Sequence, residues 1–171
     1  MTFSSDAFVR DARNRFAGLL QAHGFKEHTI SSKTTFTSLT YISDRFTSLT
    51  YISDRMYVSI VVDRRDGQVY VTIGRLTNGS VPPSVIFAPT SLGEVQEFDL
   101  EMAIWSATGV RGMFPELGIY ESEDEASVRV AIDDVAAATE RYADAVISGD
   151  PGAWLQVSEL MLSRLHDQGS A

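Results

Sequence analysis

The residue types in this chain that could do chemistry are its carboxylates and its histidines. It contains 23 Asp and Glu residues, 3 His residues and no Cys. The lack of cysteine excludes disulfides, thiolate metal sites and cysteine nucleophiles. His23, His28 and His166 lack the spacing of a metal-binding motif such as His-Glu-x-x-His, and we interpret His23 and His28 as surface residues. The carboxylates remain, either as general acids and bases or as a surface for a cationic group.

The carboxylates are unevenly distributed along the chain. Residues 1–80 contain 10 Lys or Arg and 7 Asp or Glu, whereas residues 81–171 contain 4 and 16. We interpret the two densest acidic stretches as a surface for a basic partner. The residues predicted to contact that partner are Glu94, Glu97, Asp99, Glu101, Glu121, Glu123, Asp124 and Glu125. The alternative is a solvated helix surface with favourable charges near helix N-termini.

No pattern of residues points to catalysis. The sequence contains no Gly-x-Ser-x-Gly elbow, Walker loop or Gly-x-Gly-x-x-Gly fingerprint. The acidic and basic residues at positions 63–66 could imitate a catalytic cluster, but a hairpin tip explains them better. Choosing two carboxylates of the acidic half as an acid–base pair would be arbitrary. We therefore predict a protein that is not an enzyme and has no catalytic, cofactor-binding or metal-binding residues.

The composition excludes several classes of partner. The 171 residues are enough for one domain with a sizeable core, and 44% of them are hydrophobic. The formal net charge of -9 argues against a nucleic acid or an anionic membrane, because binding phosphates requires a basic surface. No apolar run approaches the ~18 residues of a membrane span, and the first residues do not read as a signal peptide. We expect a cytoplasmic monomer or dimer.

The spacing of apolar residues predicts the elements that must position the carboxylates. A first helix is capped by Ser4 or Ser5 and ended by Gly24. An antiparallel hairpin follows at residues 56–63 and 68–75, around an Asp-Gly turn. A further strand is predicted over residues 84–88.

Helices are predicted for most of the second half. A short helix covers residues 97–107. A capping box at residues 122–125 opens a long helix that Gly149 ends, and Asp150 opens the last helix with the proline that follows it. This order predicts a single α+β domain over residues 1–171, in which an N-terminal helix precedes an antiparallel meander and the C-terminal helices pack on the sheet.

An identical tandem repeat interrupts the first half of the chain. Residues 36–45 read FTSLTYISDR, and residues 46–55 read the same. We call these segments copy 1 (residues 36–45) and copy 2 (residues 46–55). Solenoid repeats diverge and recur at longer periods, so two identical copies indicate a recent duplication, natural or engineered.

Both copies carry the residue types of a β-strand, and each ends in Ser-Asp-Arg, which suits a turn. Because ten is an even number, sliding the strand by one copy keeps every side chain on its original face. We predict strands over residues 35–44 and 46–54. One copy is expected to take the ancestral place in the sheet, and the other to form a loop, hairpin or strand extension that favours domain swapping.

Three segments carry a resemblance to a known class of proteins. Residues 142–164 read YADAVISGDPGAWLQVSELMLSR, and residues 19–26 read LLQAHGFK ahead of a strand ending in Tyr-Ile-Ser-Asp. With the Val-Asp-Arg-Arg-Asp-Gly hairpin, they resemble the bacterial immunity proteins that neutralise secreted polymorphic toxins. The resemblance covers most of the chain. It implies an acidic, cytoplasmic, non-enzymatic protein specific to one cognate toxin, and it assigns no catalytic residues.

The resemblance implies a role for the acidic surface and for the repeat. The surface would act as a decoy for a basic catalytic groove and would speed association. A direct repeat in DNA can be gained and lost by recombination, so we expect the duplication to weaken or switch off the activity.

Three other interpretations stay open. A secretion chaperone is also small, acidic and α+β, but it would expose apolar grooves for an unfolded client and form a dimer. A small enzyme would hold a carboxylate with a strongly shifted pKa in a deep pocket. An engineered duplication, made to probe how a fold absorbs inserted sequence, would leave the ancestral function open.

Overall fold

An N-terminal helix, a series of strands and a group of C-terminal helices follow one another along the chain. The computed structural model describes residues 4–28, 46–82, 89–110, 117–120 and 124–169. Its elements in chain order are α1 (Ser5–Ala22), β1 (Lys26–His28), β2 (Phe46–Ile52), β3 (Met56–Asp63), β4 (Gln68–Arg75), a 3-10 turn (Leu92–Glu94), β5 (Glu97–Asp99), α2 (Leu100–Thr108), α3 (Glu125–Tyr142), α4 (Asp144–Ile147) and α5 (Pro151–Gly169). This order confirms the predicted α+β class.

The strands form one antiparallel meander in which the spatial order equals the chain order, β1-β2-β3-β4-β5. β3 and β4 form the predicted hairpin, with Met56 opposite Arg75 and Asp63 opposite Gln68. Gly67 lies in the turn with a φ of 61°, a left-handed conformation that favours glycine. The short edge strand β1, which pairs with the end of β2, was not predicted from the sequence.

Copy 2 of the repeat supplies β2. Its first seven residues, Phe46–Ile52, pair along their whole length with β3. Its Ser-Asp-Arg end forms the tight β2–β3 turn, in which the Ser53 N–H donates to the Met56 carbonyl at 2.9 Å. The strand predicted over residues 46–54 is confirmed over residues 46–52, and residues 53 and 54 belong to the turn. Copy 1, with its predicted strand over residues 35–44, and the predicted strand 84–88 lie outside the described residues.

The hydrophobic core lies between one face of the sheet and the helices. Alternate residues of the central strands face the core and have no exposed surface: Val58, Ile60 and Val62 of β3, and Val69, Val71 and Ile73 of β4. Helices α1 and α3 contact β2 and β4, and their apolar residues join the same cluster. The side chains between these positions, such as Ser59 and Thr72, lie on the opposite face of the sheet and are half-buried.

The ends of α1 follow the sequence signals. The Ser4 side chain accepts a hydrogen bond from the Ala7 N–H at 3.1 Å, which satisfies one of the free donors at the helix N-terminus. Gly24 follows the last turn with a φ of 78°. In α5, the Asp150 side chain accepts from the Gly152 N–H at 2.7 Å, so the predicted Asp-Pro start of the last helix is also confirmed.

The helix predicted over residues 97–107 is wrong at its start. Residues 97–99 are strand β5, which pairs with residues 72–74 of β4, and the helix α2 begins at Leu100. Phe98 is buried, and its apolar side chain fits helical spacing and a strand facing the core equally well. Pairing to the free edge of β4, a contact distant in sequence, makes this segment a strand.

The long helix predicted between residues 122 and 149 also differs in the structure. Asp124 is the N-cap of α3, and its carboxylate accepts from the Ser127 N–H at 2.9 Å. The helix ends at Tyr142, and the chain bends at Ala143 (φ -105°, ψ 0°) before the short helix α4. The bend lets Val146 and Ile147 of α4 enter the core.

Candidate functional site

A pocket opens at the edge of the sheet where β4 extends beyond β5. The pairing with β5 stops at Thr72, and the next main-chain bond along that edge joins the Val69 N–H to the Gly118 carbonyl at 2.7 Å. The pocket at this edge has a volume of about 400 Å³. It is lined by Asp63, Asp66, Gln68, Val69, Tyr70, Val71, Asp99, Leu100, Glu101, Leu117 and Val135.

Four carboxylates stand among the lining residues that the structure describes, and we call them the acidic site: Asp63, Asp66, Asp99 and Glu101. The first two come from the β3–β4 hairpin tip, and the other two from the junction of β5 and α2. Because β5 runs antiparallel to β4, the end of β5 lies near the start of β4 and hence near the hairpin tip. The fold thus gathers around one pocket two acidic segments that are more than thirty residues apart in the sequence.

The hairpin tip holds its carboxylates through local hydrogen bonds. The Asp63 Oδ1 accepts from the Arg65 N–H at 3.0 Å and from the Asp66 N–H at 3.4 Å. These bonds to the following backbone are typical of an Asp-led turn. The interpretation of residues 63–66 as a hairpin tip agrees with this geometry, and the tip also supplies Asp63 and Asp66 to the lining of the pocket.

The environment of Asp99 perturbs its ionisation. The Asp99 side chain is solvent-accessible, but the surrounding protein partly desolvates its carboxyl group. This desolvation raises the pKa of the carboxyl above its ordinary value. Glu97 and Glu101 raise the pKa further by charge repulsion. A hydrogen bond from the Thr72 hydroxyl at 3.3 Å and the charge of Arg164 act in the opposite direction but do not cancel the rise. A cation in the pocket would therefore favour the ionised form of Asp99.

Glu97 lies beside the acidic site on the polar face of the sheet, and it is held there by Tyr57. The Tyr57 hydroxyl donates a hydrogen bond to the Glu97 carboxylate. To reach it, the Tyr57 ring crosses Gly74, where any Cβ would overlap the ring. Burial of Tyr57, and then its bond to Glu97, raise the pKa of the phenol. The tyrosine thus spans three strands and keeps the Glu97 side chain in one position.

The predicted residue Glu94 lies outside the acidic site and has a local role. Its carboxylate accepts from the Thr90 N–H at 2.7 Å and from the Thr90 hydroxyl at 3.0 Å. These bonds lower the pKa of Glu94. They close the 3-10 turn, so this carboxylate is already partnered within its own segment.

The described residues of the second predicted acidic stretch, Asp124 and Glu125, are not among the residues that line the pocket. Asp124 caps α3, and the Glu125 carboxylate lies 3.7 Å from the Arg10 guanidinium of α1. Glu121 and Glu123 lie outside the described residues. Of the eight predicted residues, the structure brings Glu97, Asp99 and Glu101 together and places Glu94, Asp124 and Glu125 elsewhere.

Sequence reasoning missed the contribution of Asp63 and Asp66. A signal for it exists, since a meander places the end of a fifth strand beside the turn that precedes the fourth. That signal can be used only if residues 97–99 are predicted to be a strand. Because residues 97–107 were predicted to be a helix, the proximity of Asp63 and Asp66 was not predicted.

Arg65 and Arg164, both in the described part of the chain, lie near the acidic site. The Arg65 Nε is 3.9 Å from the Asp66 carboxylate, and the charge of Arg164 acts on Asp99. Arg64 at the same hairpin tip points toward α1, where its Nη2 donates to the Ser5 hydroxyl at 2.9 Å. Four carboxylates, with Glu97 beside them, leave this edge of the described structure negatively charged.

The arrangement suits a cationic group more than a bound metal ion. In the part of the chain that the structure describes, no three His, Asp or Glu side chains form a group that could hold a metal ion. A guanidinium or ammonium group needs only several acceptors around a concave surface, and the pocket offers these beside the apolar side chains of Leu100 and Leu117.

No known protein family, curated protein or solved structure matches this chain. In addition, none of the helices within the described ranges is both long enough and apolar enough to cross a membrane. The argument about function therefore rests on the geometry and charge of the acidic site.

Proposed function

We propose that this protein is an immunity protein that neutralises a cognate bacterial toxin by stoichiometric binding. In this proposal the acidic site receives a basic side chain of the toxin, and the protein acts in the cytoplasm without catalysing a reaction. The observation that carries the proposal is the convergence of four carboxylates from two distant segments around one pocket, among them Asp99 with its raised pKa. The charges of Glu97 and Glu101 oppose the ionisation of Asp99, and a cation in the pocket would relieve this repulsion.

The net charge of the chain supports the same proposal. A formal charge of -9 speeds the approach of a positively charged partner, and a concave acidic surface focuses this attraction. An arginine or lysine that enters the pocket can pair with the carboxylates while its aliphatic stem lies along the apolar lining residues. Binding of this kind would cover a basic groove on the toxin.

A secretion chaperone has less support from the described surface. The exposed large hydrophobic side chains of the described residues come one each from separate segments of the chain: Leu92, Val110, Ile119, Val130 and Leu155. Apolar residues that are exposed singly are normal on a protein surface.

An acid–base enzyme is the second candidate, because a carboxyl with a raised pKa in a pocket is a feature of catalytic sites. The two candidates differ in what Asp99→Asn does. An enzyme that uses Asp99 as its acid or base would lose turnover almost completely. A stoichiometric binder keeps its partner, because Asn retains the oxygen that accepts from Thr72 and three other carboxylates remain.

Growth rescue tests the proposed function. The product of the adjacent upstream gene is expressed alone, with this protein, and with a form that lacks residues 46–55. An immunity protein restores growth, and a repeat that weakens binding makes the shortened form protect better than the full chain. A neighbour that is harmless when expressed alone would contradict the immunity proposal. Equal protection by both forms would contradict the weakening role of the repeat.

A further inference from the structure

We infer that β2 can be formed by either copy of the repeat, so that the chain exchanges between two strand registers ten residues apart. Copy 2 occupies the strand in the structure. Copy 1 carries the same residue at each of the ten positions. This inference concerns the sheet itself and does not depend on the identity of the partner.

The core contacts of β2 can be remade by copy 1. Leu49 and Tyr51 are the residues that β2 buries in the core, with exposures of 5% and 1%. Leu39 and Tyr41 stand ten residues earlier in the chain. Because an even shift preserves the face of every side chain, copy 1 in the same slot would present these two residues to the same neighbours.

The polar contacts of β2 can be remade in the same way. The Thr50 hydroxyl lies 2.6 Å from the Ser59 hydroxyl of β3, and Thr40 is the counterpart of Thr50 in copy 1. The three residues of the edge strand β1 pair with residues 50–52 of β2, for which residues 40–42 are identical substitutes. Neither neighbouring strand can therefore distinguish the two copies by its contacts.

The connecting segments allow both registers. With copy 2 in the sheet, 17 residues (29–45) link β1 to β2 and 3 residues (53–55) link β2 to β3. With copy 1 in the sheet, the corresponding links have 7 residues (29–35) and 13 residues (43–55). The probability that the two ends of a loop meet falls as about the 3/2 power of the loop length. The combined closure probability of the two links therefore differs by roughly twofold between the two registers.

The β2–β3 turn makes copy 2 the preferred occupant. The Ser53 N–H donates to the Met56 carbonyl, and the Met56 N–H donates to the Ser53 hydroxyl at 3.2 Å, across a turn in which only residues 54 and 55 intervene. With copy 1 in the sheet, Ser43 would take the place of Ser53, and the longer segment of residues 44–55 would replace this tight turn. The register with copy 1 is therefore the minor state.

Deletion cannot reveal the exchange, because removing either copy leaves the same sequence. Point substitutions can, and the lack of cysteine gives a clean background for disulfide trapping. Thr50 and Ser59 are directly opposite each other. Hydrogen-bonded and non-hydrogen-bonded pairs alternate along an antiparallel pair of strands. Ser53 and Met56 are a hydrogen-bonded pair, so Thr50 and Ser59, three positions further along, are a non-hydrogen-bonded pair. The side chains of such a pair are close enough for a disulfide.

The trapping experiment compares three double variants of the full chain. Thr50→Cys with Ser59→Cys reports copy 2, and Thr40→Cys with Ser59→Cys reports copy 1. Thr37→Cys with Ser59→Cys is the matched control, because Thr37 also lies in copy 1 but corresponds to Thr47, which faces Val62. We expect the Thr40 variant to form an intramolecular disulfide more slowly than the Thr50 variant but at least tenfold faster than the control. A rate equal to that of the control, or disulfides formed only between chains, would overturn the inference.

A stability comparison provides an independent test. If the copies exchange, Tyr51→Ala shifts the chain to copy 1 and leaves it folded, Tyr41→Ala has almost no effect, and the double variant loses far more stability than the two single changes combined. If they do not exchange, the double variant behaves like Tyr51→Ala alone, and the inference fails.

Discussion

At the scale of single residues, Asp11 shows how a buried carboxylate can stabilise this fold. It lies in α1 with an exposure of 6%, and it accepts from the Arg10 Nε at 2.9 Å and from the Arg129 Nε of α3 at 3.2 Å. Burial acts to raise the pKa of Asp11, but these two charged donors outweigh it and lower the pKa. Asp11 thereby joins α1 to α3 across the side of the core.

Asp11→Ala is expected to reduce the free energy of unfolding by about 2 kcal/mol, because it removes two charged hydrogen bonds. Urea denaturation measures the loss. The control is Asp133→Ala, which breaks the ion pair of Asp133 with Arg15, also between α3 and α1 but half-exposed. An exposed pair contributes at most about 1 kcal/mol. Equal losses for the two variants would contradict the role given to Asp11.

The contribution of the Asp11 charge should depend on pH with a definite sign. Because folding lowers its pKa, this stabilisation is complete above the unfolded pKa of about 4 and is lost as the pH falls through the lower folded value. The stability gap between the unsubstituted protein and Asp11→Asn should therefore narrow below about pH 4. A gap that stays constant down to pH 2 would show that the charge contributes nothing.

Asp99 should show the opposite sign. Its folded pKa is raised, so its ionisation opposes folding once the pH rises through the interval between the unfolded and folded values. Asp99→Asn should make the protein more stable at pH 7, and the gain should vanish below about pH 4, where the carboxyl is protonated in both states. Thermal unfolding at the two pH values measures this. A loss of stability at pH 7 would contradict this expectation, because it would mean that the Asp99 carboxylate stabilises the folded state.

At the scale of the elements, the crossing of Tyr57 over Gly74 joins β3, β4 and β5. Gly74→Ala places a methyl group in the space of the Tyr57 ring and should destabilise the protein by about 2 kcal/mol. The matched control is Gly18→Ala on α1, where nothing lies within 4 Å of the added carbon. Since alanine favours a helix over glycine, the control should stabilise by about 0.5–1 kcal/mol. The same sign for both substitutions in urea denaturation would contradict this account of Gly74.

The elements also show what the sequence can and cannot reveal. Local signals located α1, with its Ser4 cap, the β3–β4 hairpin and the Asp150 start of α5, because each depends on residues a few positions apart. β5 and β1 escaped prediction because short edge strands are defined by their partners rather than by their own residues. The same holds for the acidic site. The acidic run Glu97–Asp99–Glu101 could be identified from the sequence, whereas its proximity to Asp63 and Asp66 depends on the register of the sheet.

At the scale of the whole molecule, charge distribution connects the fold to the proposed function. Lys and Arg outnumber Asp and Glu in residues 1–80, whereas the acidic residues are concentrated in residues 81–171. Several basic residues of the first half are already paired, such as Arg13 with Glu27 at 2.6 Å. The acidic site gathers four carboxylates around a pocket, where a basic partner would find several acceptors at once.

The measurement that tests this account most directly is the association rate with the purified toxin domain, at several salt concentrations. Asp66→Lys with Glu101→Lys reverses two exposed charges of the acidic site, and Asp134→Lys with Glu140→Lys reverses two exposed charges of α3. Both variants change the formal net charge from -9 to -5, because each replaces two acidic residues by two basic ones. We expect the acidic-site variant to associate at least roughly tenfold more slowly at low salt and with a weaker salt dependence, whereas the α3 variant stays close to the unsubstituted protein. Equal rates for the two variants would contradict the assignment of the acidic site as the partner-binding surface.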